Sequence, residues 1–269
     1  MLRVCNLKTF FRIGAGLFGR KRITVKAVDD VSFEIGEGEV LGLVGESGSG
    51  KSTVGRTLTR LEKPTSGKAY FDGQDILKLS ARQFRPVRRH VQMIFQDPYA
   101  SLNPRLSVEA TLAEPLRIHG LAGNRSEARE KIGRILERVG LEPEAMKKFP
   151  HEFSGGQRQR IGIARVMVLA PRLVIADEAV SALDSSIQAQ ILNLIGRLQR
   201  ENNVSMLFIS HDLGVVRYVC DRVAVMHRGR IVELGGKSRI FSRPEHEYTK
   251  ALLGAVPRIP RFDYTGREK

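Results

Sequence analysis

Gly45-Glu46-Ser47-Gly48-Ser49-Gly50-Lys51-Ser52-Thr53 is the stretch of this chain whose residue types and spacing most directly specify chemistry. It follows the apolar run Val40 to Val44 and precedes a segment able to form a helix. That strand–loop–helix setting is the one in which G-x-x-x-x-G-K-[ST] cradles phosphate. The glycines allow the backbone to turn so that successive N–H groups converge on phosphate oxygens, and the helix starting near Lys51 adds its positive dipole end. Lys51 is expected at the β- and γ-phosphates of a nucleoside triphosphate, with the Ser52 hydroxyl on Mg²⁺.

A second constellation supplies the acids. Arg172-Leu173-Val174-Ile175-Ala176-Asp177-Glu178 is an apolar strand ending in two carboxylates. Asp177 is placed to bind Mg²⁺ through water. Glu178 is placed to polarise the attacking water, as general base or water-positioning group. The Asn-Lys-x-Asp pattern by which guanine-binding proteins read their base is absent from the sequence.

These groups need a scaffold that brings strand ends together. Val40 to Val44, Val91 to Phe95, Leu173 to Ala176 and Val204 to Ile209 are short, β-branched apolar runs, expected as buried strands of a mainly parallel sheet. Val223 to Met226 and Arg230 to Glu233 flank His227-Arg228-Gly229 and read as a hairpin. Val28 to Ile35 alternates, then turns at Gly36-Glu37-Gly38, which implies an antiparallel part ahead of the core. From about residue 98 to 170 the period becomes helical. Ala128, Ile132, Ile135, Leu136 and Val139 form one stripe, with Ser126 as expected N-cap and Gly140 at C′; Ile187, Ile191, Leu194, Ile195 and Leu198 form another. The order strand-rich, helical, strand-rich implies an α/β protein with a helical insertion.

Composition narrows the class. Of 269 residues, 42% are hydrophobic and 27% charged, as in a globular protein. Two cysteines, Cys5 and Cys220, exclude a disulfide framework or a four-cysteine metal site and fit a reducing compartment. Apolar runs are too short to span a bilayer, and the stretch from Met1 to Arg22 lacks the clean apolar core of a signal peptide. Lys and Arg number 44 against 29 Asp and Glu, a net charge of +15 that calls for an anionic partner.

Between the two constellations stands Phe153-Ser154-Gly155-Gly156-Gln157, opening a helix expected to run toward Ala170, with Pro171 beyond it. Here the chain resembles the ATP-binding cassette (ABC) ATPases, whose signature is Leu-Ser-Gly-Gly-Gln. Gln96 matches that family's Q-loop glutamine, Ser181-Ala182-Leu183-Asp184 its D-loop, and His211 its switch histidine, all in the family's order. The resemblance implies a RecA-like P-loop core (residues 1–97 and 167–234) with an N-terminal antiparallel β part. It also implies a helical signature subdomain (98–166) and a short C-terminal extension (235–269). It further implies a head-to-tail dimer in which Ser154, Gly155, Gly156 and Gln157 cap ATP held by the other subunit. Gln96 would sense Mg²⁺ and the nucleophile, and His211 would contact the γ-phosphate. Adenine would stack on an aromatic upstream of the phosphate loop; Phe11 is chosen, with Phe10 and Phe18 as alternatives and core packing as the other use of any of these rings.

The resemblance extends to a subfamily. Gln96-Asp97-Pro98-Tyr99-Ala100-Ser101-Leu102-Asn103-Pro104-Arg105 looks like the Q-loop region of ATPases serving oligopeptide, dipeptide and nickel importers. Pro244-Glu245-His246-Glu247-Tyr248-Thr249 is similar to their C-terminal His-Pro-Tyr-Thr motif, with Glu247 in the proline's place. Ala179-Val180 stands where the family has Pro-Thr, and Phe153 where it has Leu. The implied function is ATP hydrolysis energising import of peptides or a related solute such as nickel or a glutathione-like compound. Implied partners are two transmembrane permease subunits, a solute-binding protein and a second ATPase subunit, in a heterodimer rather than a homodimer, at the cytoplasmic face of the inner membrane. Tyr99 to Arg105 are expected to line a groove for a permease helix. A non-transport ABC ATPase acting on nucleic acid or ribosomes is the alternative; with no Trp and 6% aromatic residues, a base-stacking surface is not expected and no nucleic-acid partner is assigned.

Overall fold

A computed structural model describes residues 1–14, 23–97 and 101–255. Phe18, Tyr99 and the tail from Val256 onward therefore lie outside the described residues.

Strands β3 (Val40–Val44), β7 (Leu173–Asp177) and β8 (Ser205–Ser210) are buried at every position. That is why they read as continuous apolar runs rather than alternating ones. With β6 (Val91–Ile94), β9 (Arg222–His227) and β10 (Arg230–Gly236) they form a six-stranded sheet in the order β10-β9-β3-β8-β7-β6. All neighbours are parallel except the β9–β10 hairpin. In register, Val44 lies beside Ser210, Asp177 beside Ile209, and Ile94 beside Ala176. The phosphate loop, Gln96, Glu178 and His211 therefore all leave the same carboxyl edge, where open parallel sheets bind ligands.

The N-terminal part is a second sheet, β2-β1-β4-β5, from β1 (Leu2–Ile13), β2 (Ile23–Ile35), β4 (Ser66–Phe71) and β5 (Gln74–Asp75), antiparallel throughout. Only β2 was evident in the sequence. β1 hides because its pairing slips at Asn6, which sits at φ 47°, so the buried residues Val4 and Leu7 are three apart instead of two. Helix α1 (Lys51–Leu58) places Val54 and Leu58 in one apolar cluster with Leu7, Val28, Leu41 and Ile175.

The other face of the parallel sheet carries the remaining core. Helices α3 (Val108–Ile118), α4 (Arg125–Arg138) and α5 (Gly155–Met167) follow α2 (Ala81–His90); α6 (Ser185–Glu201), α7 (Leu213–Val219), α8 (Lys237–Ser242) and α9 (Glu247–Gly254) complete the α-helices of the described residues. Leu112, Ile132, Leu136 and Ile161 share a continuous apolar interior with Val174, Ala176 and Phe208. The α4 stripe faces inward as expected, and Gly140 at φ 74° ends the helix. Its N-cap is Asn124 rather than Ser126, because the Asn124 side chain accepts the Glu127 N–H at 2.9 Å. Helix α5 stops at Met167, short of Ala170, where φ turns to 49° ahead of Pro171. Among the described residues, no helix is long and apolar enough to cross a membrane.

Candidate active site

The phosphate loop is held by its own lysine and by a neighbouring hairpin. Lys51 Nζ donates to Gly45 O and Glu46 O, both at 2.7 Å, and to Ser49 Oγ at 3.3 Å. Burial pushes its pKa below the usual lysine value, while the nearby Glu178, Asp177 and Glu46 carboxylates pull it back up. Gly50 has φ 105°, and a Cβ there would lie 2.0 Å from Ala27 O, so only glycine fits where β2 crosses the loop. The tip of the β9–β10 hairpin closes the other side: Gly229 N–H donates to Ser49 O at 3.0 Å.

Beside the loop, Ser52 Oγ donates to Asp177 Oδ1 at 2.7 Å. Asp177 is 2% exposed. Burial raises its pKa, opposed by the Ser52 hydrogen bond and by the Arg56 and Lys51 charges, with Glu178 adding to the rise. A hydroxyl and one carboxylate are hard oxygen donors that fit Mg²⁺, which commonly uses one or two carboxylates plus phosphate oxygens rather than a cage of protein ligands. The described residues contain no group of three or more His, Cys, Asp or Glu able to hold a metal ion.

Glu178 joins three motifs. Its Oε2 accepts the Gln96 Nε2 hydrogen bond at 3.0 Å, and its Oε1 lies 3.3 Å from His211 Nδ1. The Glu178 side chain is 14% exposed and that of His211 54%, so the carboxylate lies beneath an imidazole that faces outward. The Glu178 backbone has φ 47°, a left-handed conformation that costs a glutamate about 1–2 kcal/mol. It is fixed by Glu178 N–H to Ile209 O at 3.0 Å and by the Ser181 hydroxyl, which donates to Glu178 O at 3.0 Å. Gln96 Nε2 also reaches Ser181 Oγ at 3.4 Å, which ties in the D-loop.

The signature segment forms a capping box. Ser154 Oγ accepts the Gln157 N–H at 3.3 Å, and Gln157 Oε1 accepts the Ser154 N–H at 3.0 Å. These two side chains close on each other at the start of α5 rather than on the phosphate loop. Gly156 packs under Ile187 at the start of α6, and Gln159 Nε2 donates to Ala179 O at 2.6 Å within the core. Ala179 and Val180, which replace the family's Pro-Thr, are 1% and 3% exposed and pack as ordinary core residues. Phe153 is likewise buried.

Phe11 is half-buried on β1, paired with Val25 two residues before the strand reaches Ala27 beside Gly50. Phe10, its neighbour, carries the Lys26 ammonium 5.6 Å from its ring centroid.

One contact to the loop was missed in the sequence. Glu46 N–H donates to the Tyr248 hydroxyl at 3.1 Å, across 202 positions of chain. Tyr248 lies in the segment similar to His-Pro-Tyr-Thr, for which the sequence suggested no contact with the phosphate loop; the structure makes it the start of α9. No local pattern connects that helix to the loop.

A P-loop fold with a hydroxyl–carboxylate pair and a half-buried glutamate at one sheet edge defines a nucleoside-triphosphate-binding cassette. The ABC transporter family model matches residues 28–181, and a model of the oligopeptide/dipeptide transporter C-terminal region matches residues 232–267. The chain belongs to the ABC transporter family. It is 55% identical over 270 residues to the oligopeptide transport ATP-binding protein AppF of Bacillus subtilis (strain 168), covering 100% of this chain and 82% of that protein. It is 54% identical to the glutathione import ATP-binding protein GsiA of Pectobacterium atrosepticum over 96% of this chain but only 41% of that longer protein. Among solved structures it resembles the dimeric post-hydrolysis ATP-binding cassette MJ0796 bound to ADP and Pi. The TM-score is 0.78 at 28% identity, over 88% of this chain and 99% of that one.

Proposed function

We propose that this chain is the ATP-binding and ATP-hydrolysing subunit of an importer for peptides or a related solute, such as nickel or a glutathione-like compound. The observation that carries the reading is the Glu178 carboxylate held between Gln96 and His211, next to the Ser52–Asp177 pair. The names of its relatives, oligopeptide transport, glutathione import and putative peptide import ATP-binding proteins, favour transport over a role on nucleic acid.

In this reading the amides of residues 45–53 and Lys51 bind the phosphates. Ser52 and Asp177 hold Mg²⁺, with Gln96 close by, and the ion would offset negative charge on the phosphates. Glu178 accepts the proton of the attacking water. Gln96 and His211 fix the carboxylate's direction, and His211, being outward, is free to meet the γ-phosphate. Phe11 is the proposed adenine platform. Ser154, Gly155, Gly156 and Gln157 present a helix N-terminus for the ATP of a second cassette, in a head-to-tail dimer proposed to be a heterodimer.

The proposed division is a nucleotide core of residues 1–97 and 167–234, a helical subdomain of 98–166 and an extension of 235–269. Between core and insertion runs a cleft of about 280 Å³, with Gln92 and Met93 on one wall and Pro115 and His119 on the other. Leu61, Phe95 and Ile118 on its lining are exposed apolar side chains, suited to a short helix from one of two permease subunits. Arg165 Nη1 donates to Ser101 O at 2.6 Å and shapes this cleft. A solute-binding protein completes the proposed importer, and the chain would sit peripherally on the inner membrane's cytoplasmic face.

The purified chain with Mg²⁺ and ATP is expected to release phosphate, and Lys51→Ala to lose nucleotide binding or turnover; equal activity in that variant would refute the phosphate-site reading. Purification from gently solubilised membranes is expected to bring down permease subunits. Recovery of ribosomes or DNA instead would reverse the assignment to transport.

A further inference from the structure

The C-terminal extension is tied to the phosphate loop by a chain of specific contacts that starts on β10. Glu233 is 6% exposed, and its two carboxylate oxygens accept the backbone N–H groups of Glu245 and His246 at 3.0 and 3.1 Å. Burial pushes this carboxyl's pKa up, but the adjacent Thr249 hydroxyl, the Glu245 and His246 N–H groups and the Arg239 charge outweigh it and leave it below the usual value. The turn so fixed puts His246 at the start of α9, where its Nδ1 accepts the Tyr248 N–H at 3.1 Å. Tyr248 then lies against His227, with ring centroids 3.9 Å apart and planes inclined by 34°. Its hydroxyl accepts the Glu46 N–H at 3.1 Å.

Two details give that last bond a consequence for nucleotide. The peptide unit whose N–H belongs to Glu46 is the one whose carbonyl, Gly45 O, accepts Lys51 Nζ at 2.7 Å. Tyr248 therefore fixes the plane of a peptide that orients the phosphate-binding lysine. His227 ends β9, and two residues on, Gly229 N–H holds Ser49 O at 3.0 Å. One hairpin tip thus steadies the loop at Ser49 directly and at Glu46 through Tyr248.

We propose that Tyr248 is a positioning residue of the nucleotide site, through which the C-terminal extension sets the affinity of the phosphate loop for ATP. The inference rests on the reading that this loop binds ATP. Tyr248 touches no reacting atom in this scheme. It acts through the Gly45–Glu46 peptide and Lys51.

Tyr248→Phe keeps the ring against His227 and removes only the hydroxyl. ATP binding to the full chain in the presence of Mg²⁺ is expected to weaken about threefold to tenfold, the usual effect of losing one hydrogen bond. KM for ATP should rise by a similar factor, while kcat stays within about twofold. Exchange of the Glu46 amide hydrogen should accelerate. Glu233→Gln weakens the other end of the same strap, so it should lower affinity in the same direction. Combined with Tyr248→Phe it should add less than the product of the two single effects. Equal ATP affinity in wild type and Tyr248→Phe would overturn the proposal. So would a fall in kcat with no selective change in KM, which marks a purely structural role. Wild-type chain that fails to bind ATP would instead refute the reading of the loop itself.

Discussion

Gln96 Nε2 reaches Glu178 Oε2 at 3.0 Å, linking residues just beyond the ends of two adjacent parallel strands, β6 and β7. The bond leaves Glu178 directed by side chains from both neighbours in the sheet, since His211 follows β8 on the other side. Glu178→Gln preserves the shape and removes the base. Steady-state hydrolysis should fall by at least about 100-fold, as for loss of a general base, while ATP still binds and holds a closed dimer. Phosphate release and size-exclusion chromatography with ATP check both halves; undiminished turnover would end the proposed role.

The role proposed for Asp177 comes at a cost in stability. Its carboxyl pKa is raised by burial, so the folded chain holds this proton to a higher pH than the unfolded chain does, and the resulting penalty is present at neutral pH. Asp177→Asn should therefore raise the melting temperature measured without nucleotide. The same variant should lose Mg²⁺-dependent hydrolysis. A lowered melting temperature would contradict the argument.

Lys51 is affected in the opposite sense. Its lowered pKa means that it gives up its proton at a lower pH than an exposed lysine. ATP affinity should decline on the alkaline side before ordinary lysines titrate. Between the folded and unfolded pKa values the unfolded chain holds more protons, so stability without nucleotide should rise with pH across that window. Isothermal titration across alkaline pH and parallel thermal melts measure the two trends. An ATP affinity constant up to the ordinary lysine range would count against the assignment.

Gly156 should be intolerant of a methyl group. A Cβ there would lie 2.6 Å from Ile187 Cγ2, at the junction of the signature helix and α6. Gly156→Ala should leave ATP binding by the chain's own loop within about threefold, since the clash lies in neither the loop nor its supports; ATP-driven dimerisation and turnover should be lost. Gly156→Ala with Ile187→Ala removes the clash and should recover part of both. A single variant that dimerises normally would remove Gly156 from the interface argument.

Cys220 is buried against β3, with its thiol pKa pushed up to about 12 by burial. Thiolate is the reactive form. A thiol reagent should therefore leave Cys220 unmodified in the native chain and reach it only on unfolding, with Cys5 the faster site. Rapid native labelling of Cys220, located by peptide mapping, would contradict its packing.

Much of this site was legible because its parts are contiguous. The phosphate loop, the acidic strand end and the signature each carry their chemistry within a few residues, and the buried parallel strands appear as unbroken apolar runs. What escaped was set by distant neighbours. The β1 strand slips its period at Asn6, and β4 pairs across more than sixty residues of chain, as Leu2 with Phe71. Helix α2 was not among the elements expected from the sequence. Ser80 and Gln83 in fact form a capping box, a signal present in the sequence. Its arginines have local work: Arg85 donates to Ile118 O at 3.2 Å and Arg88 lies over the Phe84 ring. Part of the +15 balance is thus structural rather than a bid for an anionic partner.

Lys51 is bonded to the carbonyls of its own loop, so on the proposed reading nucleotide capture is a substitution reaction. In the proposed site the ammonium would give up carbonyl acceptors for phosphate oxygens, while the Gly229–Ser49 and Glu46–Tyr248 bonds keep the loop's curvature. Little backbone has to be ordered on binding, so the entropic toll of capture falls mainly on the nucleotide. Calorimetry of the binding step should then show a small heat-capacity change, without the large negative value that accompanies folding coupled to binding.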